Sequence, residues 1–376
     1  MKDARRILLS LFIVAVPILC ISQTRTRTYS DQPDSTSASL IHVMYVLPSD
    51  SVDRAFDKNG ALVKTVSAWQ NWFYTQTPGS KLRVDTYNGV LDITFHHLLR
   101  TNSQMAACAA RGGSAQAFLR DCVEYELIAA GFNRSNKAYL VYYDGSNNYA
   151  CGGAPIPPKI MGSYVVLYLK GTVPGFTPCS ANNFSSDGKA VGYWEMAGLH
   201  DTVHQLGFVP SCAPHYTSAF PDHVGDSPAD LMYAGTQPWD IAHMKLDVNR
   251  DDYYKHVQSG CLDLSRNAFL TPLPTGAVLP PRWPYGNLAN QGCTKTVPSG
   301  LNSTLTNIEF INARSGSVNV YWLDYSGQPH FYRTIKPLDG YIFQTNVAAS
   351  WRIRTTAGQC VASYIATTRQ SRAVIR

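Results

Sequence analysis

Residues 271–287 read TPLPTGAVLPPRWPYGN, and these five prolines divide the chain into two stretches of unlike periodicity. Proline fixes φ and has no backbone donor, so at this density neither a helix nor a sheet propagates. A stiff linker over 271–298 is the expectation. Upstream, two periods are mixed. LIHVMYVLP, from Leu40, is a buried strand stopped by Pro48. KAYLVYYDG and SYVVLYLKG are further strands, the second a continuous apolar run suited to a sheet interior. ALVKTVSAWQNWFYTQTPG sets Leu62, Val66, Trp69, Trp72 and Phe73 on one helical face and ends at Pro78-Gly79. KLRVDTYNGVLDITFHHL alternates like a hairpin about Asn88-Gly89. Further helices are expected over 114–130 and 189–206. The reading for 39–270 is therefore an α+β domain, a twisted sheet with backing helices. Downstream the helical period disappears. Residues 299–366 are dense in β-branched and aromatic residues, broken at Ser315-Gly316, Ser326-Gly327 and Asp339-Gly340. They read as a small all-β sandwich, with 367–376 as a tail.

The N-terminus MKDARRILLSLFIVAVPILCISQT has a basic start, an apolar run over 7–21 and then polar sequence. That is the pattern of a cleaved secretory signal over 1–22, with an uncleaved membrane anchor as the alternative. A flexible polar tether is expected over 23–38. Cysteine usage agrees with export: beyond Cys20, eight remain, and no C-x-x-C spacing suggests a metal knuckle or redox dithiol. Sequential pairing is expected, Cys108–Cys122, Cys151–Cys179, Cys212–Cys261 and Cys293–Cys360. Glycosylation sequons begin at Asn133, Asn183 and Asn302. The formal charge of +6 forms no long basic run, so a nucleic-acid partner is not expected.

The chemistry gathers in GLHDTVHQLGF, residues 198–208. On a helix, His200 and His204 are four apart and share a face, so both can aim a ring nitrogen at one Zn2+. A catalytic zinc site needs a third protein ligand and a base beside the first histidine. Asp201 can act as that base in kind, but it is one methylene shorter than glutamate. Glu195 lies about 140° around the helix from His200 and is a poor substitute. GFVPSCAPHYTSAFPDHVGDSPADLMYAG then supplies a glycine break, further histidines and a methionine. LDVNRDDYYKH, from Leu246, lacks the regular ligand spacing of a calcium loop and reads as a solvated turn.

With these residues in place, 40–264 resembles the metzincin clan of secreted zinc metallopeptidases, most specifically over 194–233. The resemblance implies a deep cleft under a twisted sheet, zinc at its floor and a methionine turn beneath it. His200 and His204 match the first two ligands, Asp201 the base and Met232 the turn, with Tyr233 as a possible assistant. Pro210 stands where the short family pattern has its third ligand. That ligand is therefore expected later, at His223, with His215 and then Asp226 as alternatives. The implied substrate is a peptide or protein.

The C-terminal module resembles the β domain of the von Hippel–Lindau (VHL) family, on Phe310, Asn312, Val320, Trp322, Leu323, Tyr325, Gly327, Tyr332, Pro337, Gly340, Thr345 and Trp351. In that family the sandwich recognises a hydroxyproline-bearing peptide. Tyr332 and Trp351 match two aromatic pocket positions, while Thr345 replaces a serine, Asn346 a tyrosine and Ala349 a histidine. A buried hydroxyl needs its partners, so hydroxyproline recognition does not carry over and a peptide-binding accessory is the expectation. Two functions follow: a secreted zinc endopeptidase with an HDxxH motif, or an inactive peptidase fold that binds extracellular peptide or protein.

Overall fold

The computed structural model describes residues 25–110, 115–155, 162–172, 179–180, 183–281, 283 and 286–376. The signal segment expected over 1–22 lies outside these. The first domain is built on one five-stranded sheet: β1 (Leu40–Leu47), β2 (Ile93–His97), β3 (Lys137–Tyr143), β4 (Gly152–Gly153) and β5 (Tyr164–Tyr168). The spatial order is β2-β1-β3-β5-β4, with only β4 antiparallel to its neighbour. Helices α1 (Ala61–Gln76), α2 (Asn102–Ala110), α3 (Ala115–Ala129) and α4 (Tyr193–Gln205) cover it.

Side chains alternate across a strand, so the sheet feeds two cores. Ile41, Val43, Tyr45, Leu140, Tyr142, Val165 and Leu167 point to the front, against α1 and α4. Met44, Val46, Tyr139, Val141, Tyr143, Val166 and Tyr168 point to the back, against α3. This explains the unbroken apolar runs: both faces of these strands are buried. Met196, Leu199 and Val203 of α4, and Leu206 just past its end, are all fully buried in the front core. Each such side chain contributes about 1.5–3 kcal/mol of burial. Helix α4 is shorter than the span expected, and α2 is a helix that periodicity does not announce. The hairpin at Asn88-Gly89 is present as Thr86–Tyr87 paired with Val90–Leu91, both turn residues at positive φ.

The second domain is a sandwich of two sheets. One has the order β9-β6-β12, from β6 (Leu305–Asn312), β9 (Asp339–Asn346) and β12 (Ser371–Ile375). The other has the order β8-β7-β10-β11, from β7 (Val318–Leu323), β8 (Pro329–Ile335), β10 (Ser350–Thr355) and β11 (Cys360–Ile365). The span 367–376, expected as a tail, is corrected here: β12 runs parallel to β6 and is a structural strand. Its Arg372 is buried at the junction of the two domains. Arg372 donates to Glu124 of α3, to Glu309 Oε2 at 2.6 Å and to Ser163 Oγ at 2.7 Å, and Arg120 also pairs with Glu124. Arg100 donates to the carbonyls of Pro337 and Leu338. The sandwich is thus fixed to the back of the first domain.

Two other spans are more ordered than their composition implies. Within 23–38, the Phe95 amide donates to the Thr28 carbonyl at 2.8 Å, Arg27 pairs with Asp53 and Asp57, and Asp31 and Asp34 pair with the buried Lys137. The segment is pinned along the domain rather than loose, because its charged side chains find partners that lie far away in sequence. The proline-rich span is anchored by Trp283, which packs on Phe269 and donates to the Ser135 carbonyl at 2.9 Å. All four disulfides are formed with the sequential pairing expected. Among the described residues no helix is long and apolar enough to cross a membrane. The disulfides are compatible with an extracellular protein.

Candidate metal centre

Helix α4 begins where Glu195 accepts the amides of Ser185 at 2.8 Å and Gly192 at 3.0 Å, together with the Thr65 hydroxyl. Glu195 is fully buried and serves as an anchor for the helix, remote from base chemistry. Near its other end the helix presents His200 and His204 on adjacent turns. The chain then leaves at Gly207, which sits at φ +85°, a conformation that a side chain would strain.

The loop that follows returns a third imidazole. Thr217 donates to the His223 carbonyl at 3.0 Å, and Gly225 donates to the His215 carbonyl at 2.9 Å, closing a narrow turn that carries His223. The Cys212–Cys261 disulfide ties the start of this loop down. The three Nε2 atoms converge: His204 lies 3.0 Å from His200 and from His223, and the last two are 3.2 Å apart. A tetrahedral zinc with Zn–N of about 2.0–2.1 Å sets its nitrogens about 3.3 Å apart, so the donor set fits that ion.

The outward nitrogens fix the tautomers. His200 Nδ1 donates to the Leu231 carbonyl at 2.7 Å, and His223 Nδ1 to the Pro221 carbonyl at 3.0 Å. With the proton held on Nδ1, the Nε2 lone pairs of these two rings face inward. Burial, and then the neighbouring His223, push His200 down to about 3; burial also lowers His223. Neutral imidazoles are the form a metal requires.

The methionine turn lies directly against both ligand segments. Leu231 and Met232 are fully buried, the Val224 amide donates to the Met232 carbonyl at 3.0 Å, and Val224 bridges to Tyr233. Asp230 pins the turn. Its carboxylate accepts the Met232 amide at 2.7 Å, the Val248 amide at 2.7 Å and the Tyr253 hydroxyl at 2.9 Å. Sequence reading passes over Asp230, although it stands two residues before Met232, where a short acidic side chain can fold back on the backbone. Trp239 was also missed. Its indole donates to the Tyr233 carbonyl at 3.0 Å, and its ring lies 5.0 Å from that of His200.

Asp201 follows His200 and turns its carboxylate toward strand β4, against Gly152. Burial raises it to about 8. The alternatives for the third ligand lie elsewhere. His215 bonds Asp252 Oδ2 at 3.0 Å, and Asp226 lies 3.9 Å from the same imidazole. That group adjoins Asp247, which is buried and accepts the amides of Tyr253 and Tyr254, so LDVNRDDYYKH forms a capped turn rather than a solvated one. A further cluster, Asp31, His42, Asp85 and Asp92, is already occupied by the Lys137 ammonium. The Tyr233 hydroxyl accepts the Gln237 amide of its own loop at 3.4 Å.

On the sandwich, Tyr332 is half exposed on edge strand β8, and its ring lies 5.0 Å from that of Trp351. Phe343 lies 5.2 Å from Trp351 and completes an aromatic cluster. Ala349 is buried beneath, with no polar group to offer a ligand hydroxyl.

Comparison with known proteins bears on the two domains unequally. No curated protein matches the chain. Among solved structures, the chain is similar to catalytically inactive OgpA from Akkermansia muciniphila, crystallised with an O-glycopeptide (glycodrosocin) substrate. That similarity is 10% identity over 93% of this chain and 96% of that one, at a TM-score of 0.28, which is too low to carry an argument. Residues 299–361 match the family model described as VHL beta domain. Over 299–361 the C-terminal sandwich is therefore similar to the VHL β domain, and it is joined to an α+β domain that brings three histidines together.

Proposed function

We propose that the protein is a secreted zinc-dependent endopeptidase of the metzincin kind, with the VHL β domain as a fixed accessory. The observation that carries this reading is the convergence of His200, His204 and His223 over a buried methionine turn, two of them oriented through carbonyl bonds. Zinc, when bound, supplies Lewis acidity that activates water and polarises a peptide carbonyl. The chain's own residues do the rest. His200, His204 and His223 would hold the ion. Asp201 would serve as the base above about pH 8, where its buried carboxylate is ionised, taking a proton from water and returning it to the leaving amine. Trp239 forms an aromatic wall beside His200 against which a peptide side chain rests. The four disulfides and the apolar N-terminal run favour export.

Metal analysis of the purified protein tests the reading first, with about one zinc per chain expected. Cleavage of casein or gelatin should vanish with a chelator and return with zinc, and Asp201→Ala should remove it while keeping the metal. Zinc bound without any hydrolysis by the wild type would sink the peptidase. It would leave the second reading, an extracellular peptide-binding protein, which the exposed Tyr332 over the Phe343–Trp351 cluster favours.

A further inference from the structure

We propose that Gly152 is the positioning residue for Asp201: strand β4 and the aspartate are a matched pair, and glutamate is excluded from position 201 rather than simply missing. The catalytic meaning of this pair rests on the metallopeptidase reading, whereas the packing does not. A Cβ built on Gly152 would overlap Asp201 Oδ2 outright and come within 3.1 Å of its Cγ and 3.0 Å of Leu167 Cδ2. Gly152 is absent from the residues at positive φ, so backbone conformation does not demand glycine there. What position 152 needs is the absence of a side chain.

Neither wall of the gap can retreat. Strand β4 pairs with β5 through Gly152↔Leu167 and Gly153↔Val166, and Tyr168 donates to the Cys151 carbonyl at 2.9 Å. The Cys151–Cys179 disulfide holds the residue before it. On the opposite side, α4 lies close to β5: a Cβ on Gly198 would sit 3.3 Å from Leu167 Cδ1. Glycine at 198 lets the helix approach, and glycine at 152 leaves room for one short carboxylate. Glutamate extends about 1.5 Å further and would drive into β4 or swing away from the position that the strand fixes. The HDxxH motif is therefore the form of the site that fits this sheet.

A double-mutant cycle on the zinc-loaded full chain separates this from ordinary crowding. Gly152→Ala alone should lower Tm by about 5 °C, because the new methyl meets the carboxylate. In an Asp201→Ala background the same change should cost about 1 °C, leaving only the Leu167 contact. Equal drops in both backgrounds overturn the proposal. Asp201→Glu provides the second arm. It should keep the zinc stoichiometry, lower Tm and reduce peptide cleavage about tenfold or more. A faster glutamate variant would also overturn it, by showing that the gap admits the longer side chain. If the wild type binds zinc and cleaves nothing, the peptidase reading fails while the Tm cycle still decides the role of Gly152.

Discussion

The two faces of the central sheet bury polar groups in opposite ways. On the back, Arg120 and Arg372 are buried among Glu124, Asp121 and Glu309, so every positive charge meets a negative one from the same chain. On the front, three imidazoles point their Nε2 atoms at one another across 3.0–3.2 Å, and the inward lone pairs of His200 and His223 repel unless a cation or a proton comes between them. The back is complete as folded. On the metal-centre reading the front would be complete only with an ion bound, and that difference would separate a structural cluster from a functional one.

Removing one member of the back network should produce the larger effect. Arg372→Ala removes the arginine that pairs with Glu309 and one of the two arginines that pair with Glu124. Breaking a buried pair in this way costs about 3–5 kcal/mol. Urea unfolding should show the loss, together with release of the sandwich from α3. A loss under about 1 kcal/mol would mean that the junction is wet and that the two domains dock by apolar contact alone. On the front, His204→Ala should instead leave stability without metal nearly unchanged and lower zinc affinity more than about 100-fold, since even residues that only orient ligands cost about 10–100-fold. Titration with a competing chelator measures this. A variant that still binds zinc as the wild type does would show that the three histidines are not one site.

Acid should separate the faces by pH. His200 and His223 are held below their ordinary value in the folded protein, so the unfolded chain takes up protons first as pH falls. The front then loses stability and metal from about pH 6.5 downward. Glu124 is also lowered, but it is a carboxylate held ionised by Arg120 and Arg372 against the cost of burial. Its contribution is present above the ordinary carboxylate range and is lost only as pH falls below about 4. Zinc release near pH 5 with the sandwich still docked is the expected order, read by metal analysis and small-angle scattering. Simultaneous loss would mean that the docking depends on the metal.

The two faces also differed in how far the sequence exposed them. Strands β1, β3 and β5 and the buried stripe of α4 were legible because burial on both faces, or on one helical face, leaves a period in the residues. His200 and His204 were legible for the same reason: their relation is local. His223 could be placed only as one of three alternatives, because a ligand on a returning loop has no fixed spacing from a helix. Arg372 lay in a span read as a tail. Its partners at 124 and 309 are distant in sequence, and an isolated arginine near a terminus looks like any solvated charge. Gly152 gave no signal either, since a required absence of side chain resembles an ordinary turn glycine.

The smallest effect expected concerns Asp230, which links the front site to the loops beneath it. Its carboxylate accepts two amides and a hydroxyl, yet burial still raises it to about 7. Asp230→Asn keeps the shape and loses one acceptor oxygen, placing an amide donor opposite donors. One buried mismatch costs about 1–3 kcal/mol. The Leu231 carbonyl, which takes the His200 proton, sits on this turn, so zinc affinity should fall by about tenfold, less than for loss of a ligand. Measuring zinc affinity and thermal unfolding on the same variant separates the two contributions. A fall in Tm with affinity unchanged would show that the turn supports the fold without orienting His200, leaving the Nδ1–carbonyl bond as packing rather than as part of the metal centre.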